Sequence, residues 1–171
     1  MPKQAQAHWS FDTRAVHHPA PCLELEPVAT PVYQTSTFRA TEADSVAQHS
    51  VEISPATFYT RYGNPTVEVL EKVAADLEGG ERALSFASGM AAVSATLLTL
   101  LKPGDHVVAG NSLYTATAKL LSHDFQELGV KVDFVDATDA DAFAAAVRSE
   151  TRLFYLETPS NPMMLLTDLA A

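Results

Sequence analysis

Three short segments of this chain bring together residue types that can hold a small anion and a flat ligand. In Phe86-Ala87-Ser88-Gly89-Met90-Ala91-Ala92 an apolar run passes through Ser88 and Gly89 into a helix-forming stretch. Amides at a helix start are unpaired, the dipole is positive there, and a glycine lets a phosphate approach the backbone. A Ser-Gly step also serves as plain turn geometry at many strand-to-helix junctions. In Tyr59-Thr60-Arg61-Tyr62-Gly63-Asn64-Pro65-Thr66, Arg61 offers a fork of donors suited to phosphate or carboxylate, and Tyr59 a hydroxyl two residues away. Taken alone, that segment reads better as a solvated loop turning at Gly63-Asn64-Pro65. In Glu157-Thr158-Pro159-Ser160-Asn161-Pro162, Asn161 can hydrogen-bond a ligand, while two X-Pro bonds also make a rigid turn, with a cis bond expected at Asn161-Pro162. Tyr114, at the end of Gly110-Asn111-Ser112-Leu113, can stack on a flat ligand or simply cover a helix start.

These residues need a scaffold, and the apolar spacing supplies one. Val67, Leu70, Val73, Ala74 and Leu77 recur at helical spacing, with Thr66 able to cap the start and Gly79-Gly80 to end it. Arg82–Phe86 reads as a short strand, Gly89–Leu101 as an apolar helix closed by Pro103-Gly104, and Asp105–Ala109 as a strand. The spacing predicts a helix over Leu113–Leu128 with Gly129 as its stop, then a strand over Val130–Val135. A helix starting at Thr138, with Asp139 and Asp141 in its first turn and Arg148 in its last, matches the dipole at both ends. Thr151–Leu156 is the fourth strand. Such alternation argues for parallel pairing through right-handed crossovers, an α/β sheet with helices on both faces, and ligands in such sheets sit beyond the carboxyl ends of strands. Residues 1–40 hold five of the ten prolines and read as an extended arm. Thr167-Asp168-Leu169-Ala170-Ala171 looks like the first turn of a further helix, capped by Thr167, an abnormal place for a domain to stop.

Composition narrows the function classes. With 21 acidic against 11 basic residues in 171 and a formal charge of −10, the chain repels nucleic acid and anionic membranes unless bases cluster, and they do not. No apolar run approaches a membrane span, and MPKQAQAHWS has neither a secretory nor a transit pattern, so a cytoplasmic setting is expected. Cys22 is the single cysteine and reads as an idle thiol. No metal site is expected. Internal repeats, low-complexity tracts and dividing linkers are absent, as are a Walker loop and a Gly-x-Gly-x-x-Gly fingerprint.

In order and spacing, these segments resemble the cystathionine γ-synthase family of trans-sulfuration enzymes, the Cys/Met-metabolism family of pyridoxal-phosphate proteins. The likeness runs from Pro31-Val32-Tyr33-Gln34-Thr35-Ser36-Thr37-Phe38 through Tyr59-x-Arg61-x-Gly63-Asn64-Pro65-Thr66 and Ser88-Gly89-Met90-Ala91-Ala92 to Glu157-Thr158-Pro159-Ser160-Asn161-Pro162, and is weakest over Thr41–Thr57. It implies an arm and variable loop over 1–58, and over 59–171 the first part of a fold-type-I, aspartate-aminotransferase-like large domain. It also implies a small-molecule amino-acid substrate and a homodimer or homotetramer. Ser88 with the amides of Gly89 and Met90 would hold the cofactor phosphate, and Tyr59 and Arg61 would bind the phosphate of a neighbouring subunit. Tyr114 would stack on the pyridine ring and aid proton transfer, and Asn161 would bond the ring hydroxyl.

In the family's sheet the last three strands are neighbours, and the first lies apart from them across strands encoded beyond Ala171. The family's aspartate for the pyridine nitrogen, its Ser-x-x-Lys Schiff-base lysine and its late arginine are absent here. Lys3, Lys72, Lys102, Lys119 and Lys131 stand in other contexts. Ala116 replaces the cysteine usual in methionine γ-lyases, which argues mildly for a synthase, sulfhydrylase or other lyase. The resulting expectation is a γ-replacement or γ-elimination enzyme by family, the chain itself being inactive. The competing one is a non-catalytic product or interaction module that pairs with full-length subunits.

Overall fold

Three strands of five residues each, β1 (His106–Gly110), β2 (Lys131–Val135) and β3 (Thr151–Tyr155), pair in parallel in the order β2-β1-β3. The last three strands are therefore neighbours, as expected, each within a residue of the sequence-derived bounds. The computed structural model describes residues 9–17, 29–39, 44, 47, 51 and 57–170, in two units, Met1–Ser85 and Phe86–Ala171. Cys22 and most of the variable loop lie outside the described residues.

In the unit Phe86–Ala171, β1 is buried along its whole length, because a central parallel strand is covered on both faces and flanked on both edges. Helix α3 (Gly89–Leu100) sends Leu97, and Leu101 beyond its end, onto Val107 and Ala109, where Leu121, Phe125 and Val130 complete the core. After β1 the expected helix over 113–128 is broken: α4 (Thr115–Lys119) runs into a π-helical turn (Leu120–Asp124) and then α5 (Phe125–Glu127). A π turn inserts a residue and shifts the apolar stripe. Leu121 and Phe125 are brought fully inside, while Leu128 stays half exposed. Gly129, at φ +85°, makes the stop.

On the other face, α6 (Ala140–Ala145) contributes Phe143, whose ring meets Phe154 of β3 edge-on at 5.6 Å. Asp139, not Thr138, caps α6 by accepting from the amides of Asp141 and Ala142. Thr138 is diverted, its amide and hydroxyl both donating to Asp136 at 2.9 and 2.8 Å. Arg148 lies beyond the helix and pairs with Asp133 instead of the dipole. Thr167 starts no helix: its amide donates to Thr158 Oγ1 at 3.0 Å, closing a loop back on itself. Both Thr158-Pro159 and Asn161-Pro162 are cis, the second as expected.

The unit Met1–Ser85 is built on α2 (Pro65–Glu78), ended by Gly79 at φ +67°. Its cap is Asn64, whose side chain accepts the Thr66 amide, and Thr66 does other work. The Thr66 hydroxyl receives Tyr33 N–H and donates to Pro31 O, both at 2.9 Å, so the arm is tied to the helix start. The arm is also not wholly extended. Phe11–His17 forms α1, started by Ser10, whose Oγ accepts from Thr13 N at 3.3 Å, and held to α2 by Arg14 against Asp76 at 3.1 Å. Arg82–Phe86 pairs with no strand among the described residues. Ladder partners make a strand out of an extended segment, and the Ser85 amide is taken by Glu71 Oε1 at 2.8 Å.

Candidate functional site

Ser88 is extended, at φ −157° and ψ 157°, and its Oγ accepts Ala91 N–H at 3.1 Å to start α3. Ser88 O takes Ala92 N–H at 3.1 Å. The N–H groups of Gly89 and Met90 are then the helix-start donors without an acceptor among the described residues. A β-carbon at Gly89 would meet nothing within 4 Å, so the approach to both amides is open. A charged oxygen placed there completes two hydrogen bonds and meets the positive end of a twelve-residue helix.

The open side faces a cleft of about 410 Å³ lined by Ser88, Gly89, Met90, Val93, Tyr114, Thr117, Tyr155 and Glu157, large enough for a small ligand. Its floor lies beyond the carboxyl ends of β1 and β3, where parallel sheets hold ligands. Tyr114, 53% exposed, precedes α4, and its N–H donates to Glu157 Oε1 at 3.1 Å and Oε2 at 2.9 Å. Thr117, one turn on, is buried and donates its hydroxyl to Met90 Sδ at 3.6 Å. Burial pushes the Tyr155 phenol up, a hydrogen bond with Thr117 opposes this, and the negative charge of Glu157 adds to the rise. Tyr155 is therefore a neutral wall of the cleft near neutrality.

The structure thus brings Ser88, Gly89, Met90 and Tyr114 together. Asn161 is exposed in the turn closed by Met164 N–H on Ser160 O at 2.8 Å, and it is not among the lining residues. In the unit Met1–Ser85, exposed Arg61 lies with its guanidinium carbon 4.7 Å from the Tyr59 ring centroid and 5.3 Å from that of Tyr62. Sequence reasoning missed Val93, Thr117, Tyr155 and Glu157. Val93, four residues after Gly89 on one helix, and Thr117, three after Tyr114, had a periodic signal; Tyr155 and Glu157 had none.

These residues suit the phosphate and ring of pyridoxal phosphate: two open amides for the first, a half-exposed aromatic face for the second. The compensating cation is not in the cleft. None of its lining residues is basic and Glu157 is acidic, while Lys72 and Lys131 pair with Glu68 and Glu150.

The sequence model of the Cys/Met metabolism PLP-dependent enzymes matches residues 12–171. The chain is 42% identical over its full 171 residues to an L-methionine gamma-lyase of Porphyromonas gingivalis, covering 43% of that protein. It is 41% identical over 131 residues to an O-succinylhomoserine sulfhydrylase of Pseudomonas aeruginosa, covering 77% of this chain and 32% of that protein. The structure of metY from Campylobacter jejuni, which carries N'-pyridoxyl-lysine-5'-monophosphate, superposes with a TM-score of 0.83 at 28% identity over 94% of this chain and 40% of its own. The chain therefore spans less than half the length of these relatives. A lyase and a sulfhydrylase match at nearly equal identity, so identity does not separate the branches. Among the described residues, no helix is long and apolar enough to cross a membrane.

Proposed function

The chain belongs to the Cys/Met metabolism PLP-dependent enzymes, and from that premise we propose that it forms the phosphate- and ring-holding part of an enzyme acting at the γ-carbon of a sulfur amino acid or an O-activated homoserine. The observation that carries this reading is the pair of acceptor-free amides at Gly89 and Met90, opening onto a cleft that Tyr114 overlooks. Pyridoxal phosphate, when bound, supplies an electron sink for carbanion chemistry. The chain's own residues do the holding. Gly89 and Met90 would bind the phosphate through N–H donors, Tyr114 would lie against the ring and pass a proton at its hydroxyl, and Asn161, from the exposed turn beside the cleft, would bond the ring hydroxyl. Because the cleft has no base of its own, Arg61 and Tyr59 of a neighbouring subunit supply the cation and a further donor, which makes a homodimer or homotetramer the functional form. The setting is cytoplasmic. Ala116 weighs against the methionine γ-lyase branch and for a synthase, sulfhydrylase or other lyase, while the likeness to L-methionine gamma-lyases weighs the other way.

Alone, the 171-residue chain is inactive, since none of its lysines stands in a Ser-x-x-Lys context and none lines the cleft. A second reading, an interaction module that pairs with full-length subunits, is supported by exposed apolar side chains: Leu98 and Leu100 of the mainly apolar α3 are 59% and 56% exposed, and Met163 and Met164, beyond β3, are 68% exposed. Faces of this kind call for a covering polypeptide. The test is to incubate the purified chain with pyridoxal phosphate and borohydride, map pyridoxyl-lysine peptides, and assay γ-elimination and γ-replacement. The expected result is dialysable cofactor with no specific lysine label and no turnover. A single labelled lysine with turnover overturns the proposal.

A further inference from the structure

Glu157 belongs to a segment singled out for Asn161, yet it is Glu157 that reaches the cleft. Its two carboxylate oxygens lie 3.1 and 2.9 Å from one nitrogen, the Tyr114 amide, 43 residues away in sequence. Tyr114 has little else to hold it. The residue is 53% exposed, and it precedes α4 with no side-chain cap of its own, at φ −52° and ψ 129°. A ring with so little packing is placed by its backbone, and here the backbone is held by an ionised acceptor, the stronger kind of hydrogen bond. Glu157 is the one charged residue among those lining the cleft. Its oxygens are turned to the Tyr114 N–H at the start of α4, not to the Gly89 and Met90 amides.

We propose that Glu157 is a positioning residue, whose carboxylate fixes Tyr114 so that the ring forms the wall of the cleft meeting the flat part of the ligand. This rests on the reading of Tyr114 as the ring-stacking residue. The strands make the link possible: β1 leads into the Tyr114 loop, β3 leads into Glu157, and the two are hydrogen-bonded neighbours with Ala109 opposite Tyr155. Tyr155 ends its strand and Glu157 follows two residues on, and both line the cleft that Tyr114 overlooks.

The experiment compares the protein purified from its own gene with its Glu157→Ala and Glu157→Gln variants, using pyridoxal 5'-phosphate and inorganic phosphate as separate probes. The Tyr114 amide is followed by two-dimensional nitrogen-proton spectra and hydrogen exchange. In Glu157→Ala the Tyr114 amide proton moves upfield and exchanges faster, pyridoxal phosphate binds roughly three- to tenfold more weakly through loss of ring contact, and inorganic phosphate binds as before. Glu157→Gln, which keeps one acceptor oxygen, recovers most of both effects. Equal weakening of the two probes would show a general structural role and overturn the proposal, as would an unchanged Tyr114 amide in Glu157→Ala or a Gln variant no better than Ala. If the unaltered protein binds pyridoxal phosphate no better than inorganic phosphate, the stacking reading falls, and the Tyr114 amide in the two variants still decides whether Glu157 fixes that residue.

Discussion

The two ends of the sheet in the unit Phe86–Ala171 treat polar groups in opposite ways. Where the strands begin, His106 is fully buried, its Nδ1 2.8 Å from Thr151 Oγ1 and its Nε2 3.4 Å from Asp133 Oδ2, and Arg148 closes the group by pairing with Asp133 and donating its amide to Thr151 Oγ1 at 2.7 Å. The Nε2 atom itself makes no hydrogen bond among the described residues. Where the strands end, the Gly89 and Met90 amides have no acceptor among the described residues and the backbone leaves space beside them. One end commits most of its polar groups to the fold, and the other leaves two backbone donors open beside a cleft. Polar groups that the chain leaves unpaired at an accessible place mark the site better than a count of polar residues does.

That contrast can be broken at the closed end. His106→Ala leaves a cavity and strips Thr151 and Asp133 of their buried neighbour, at a cost of about 2 to 4 kcal/mol. The urea midpoint of the protein falls accordingly, while pyridoxal phosphate affinity, measured under native conditions, stays within about twofold. A large loss of affinity in a still-folded variant would show that the two ends are not independent.

A smaller effect sharpens the same contrast at the solvent rim of the closed end. Lys131 Nζ lies 2.8 Å from Glu150 Oε1, and Glu150 is held down to about 2 from its ordinary 4.5, by the hydrogen bond to Lys131 first and by that from Ser149 next. A depressed carboxyl contributes stability above its unfolded value. Here the contribution is fully present above about 4.5 and fades as the pH falls toward about 2. Both side chains reach solvent, so it is slight. In Lys131→Ala a carboxyl titration by nuclear magnetic resonance should find Glu150 raised toward its ordinary value but still held below it by the hydrogen bond from Ser149, and the stability gap to the unaltered protein should close over that same acid window. An unmoved Glu150 would mean that the pair is not formed in solution.

The sequence made the alternation of strands and helices legible, because apolar runs are separated by turn residues such as Pro103-Gly104 and Gly129, and both glycines take positive φ. Element limits moved where a side chain found a competing partner. Asp105, expected to open β1, instead accepts Lys102 N–H at 3.0 Å and closes the turn before it. Arg82–Phe86 shows what propensity cannot give, since a strand exists only through a neighbour. The amides of Gly89 and Met90 and the ring of Tyr114 were legible because each follows a strand or turn directly. Glu157 and Tyr155 were not, because their place in the cleft depends on the pairing of His106 with Thr151 and of Ala109 with Tyr155, a register set across 45 residues that no local pattern encodes.

The central claim is that the open helix start at Gly89 and Met90 receives the phosphate of pyridoxal phosphate. The most direct test is to titrate the nitrogen-15-labelled protein with pyridoxal 5'-phosphate and follow those two amide resonances, with inorganic phosphate added as competitor. The account predicts saturable downfield shifts of both amide protons, reversed by inorganic phosphate and abolished in Gly89→Val, whose side chain fills the approach. Saturable binding that moves other amides and leaves Gly89 and Met90 unmoved would contradict it.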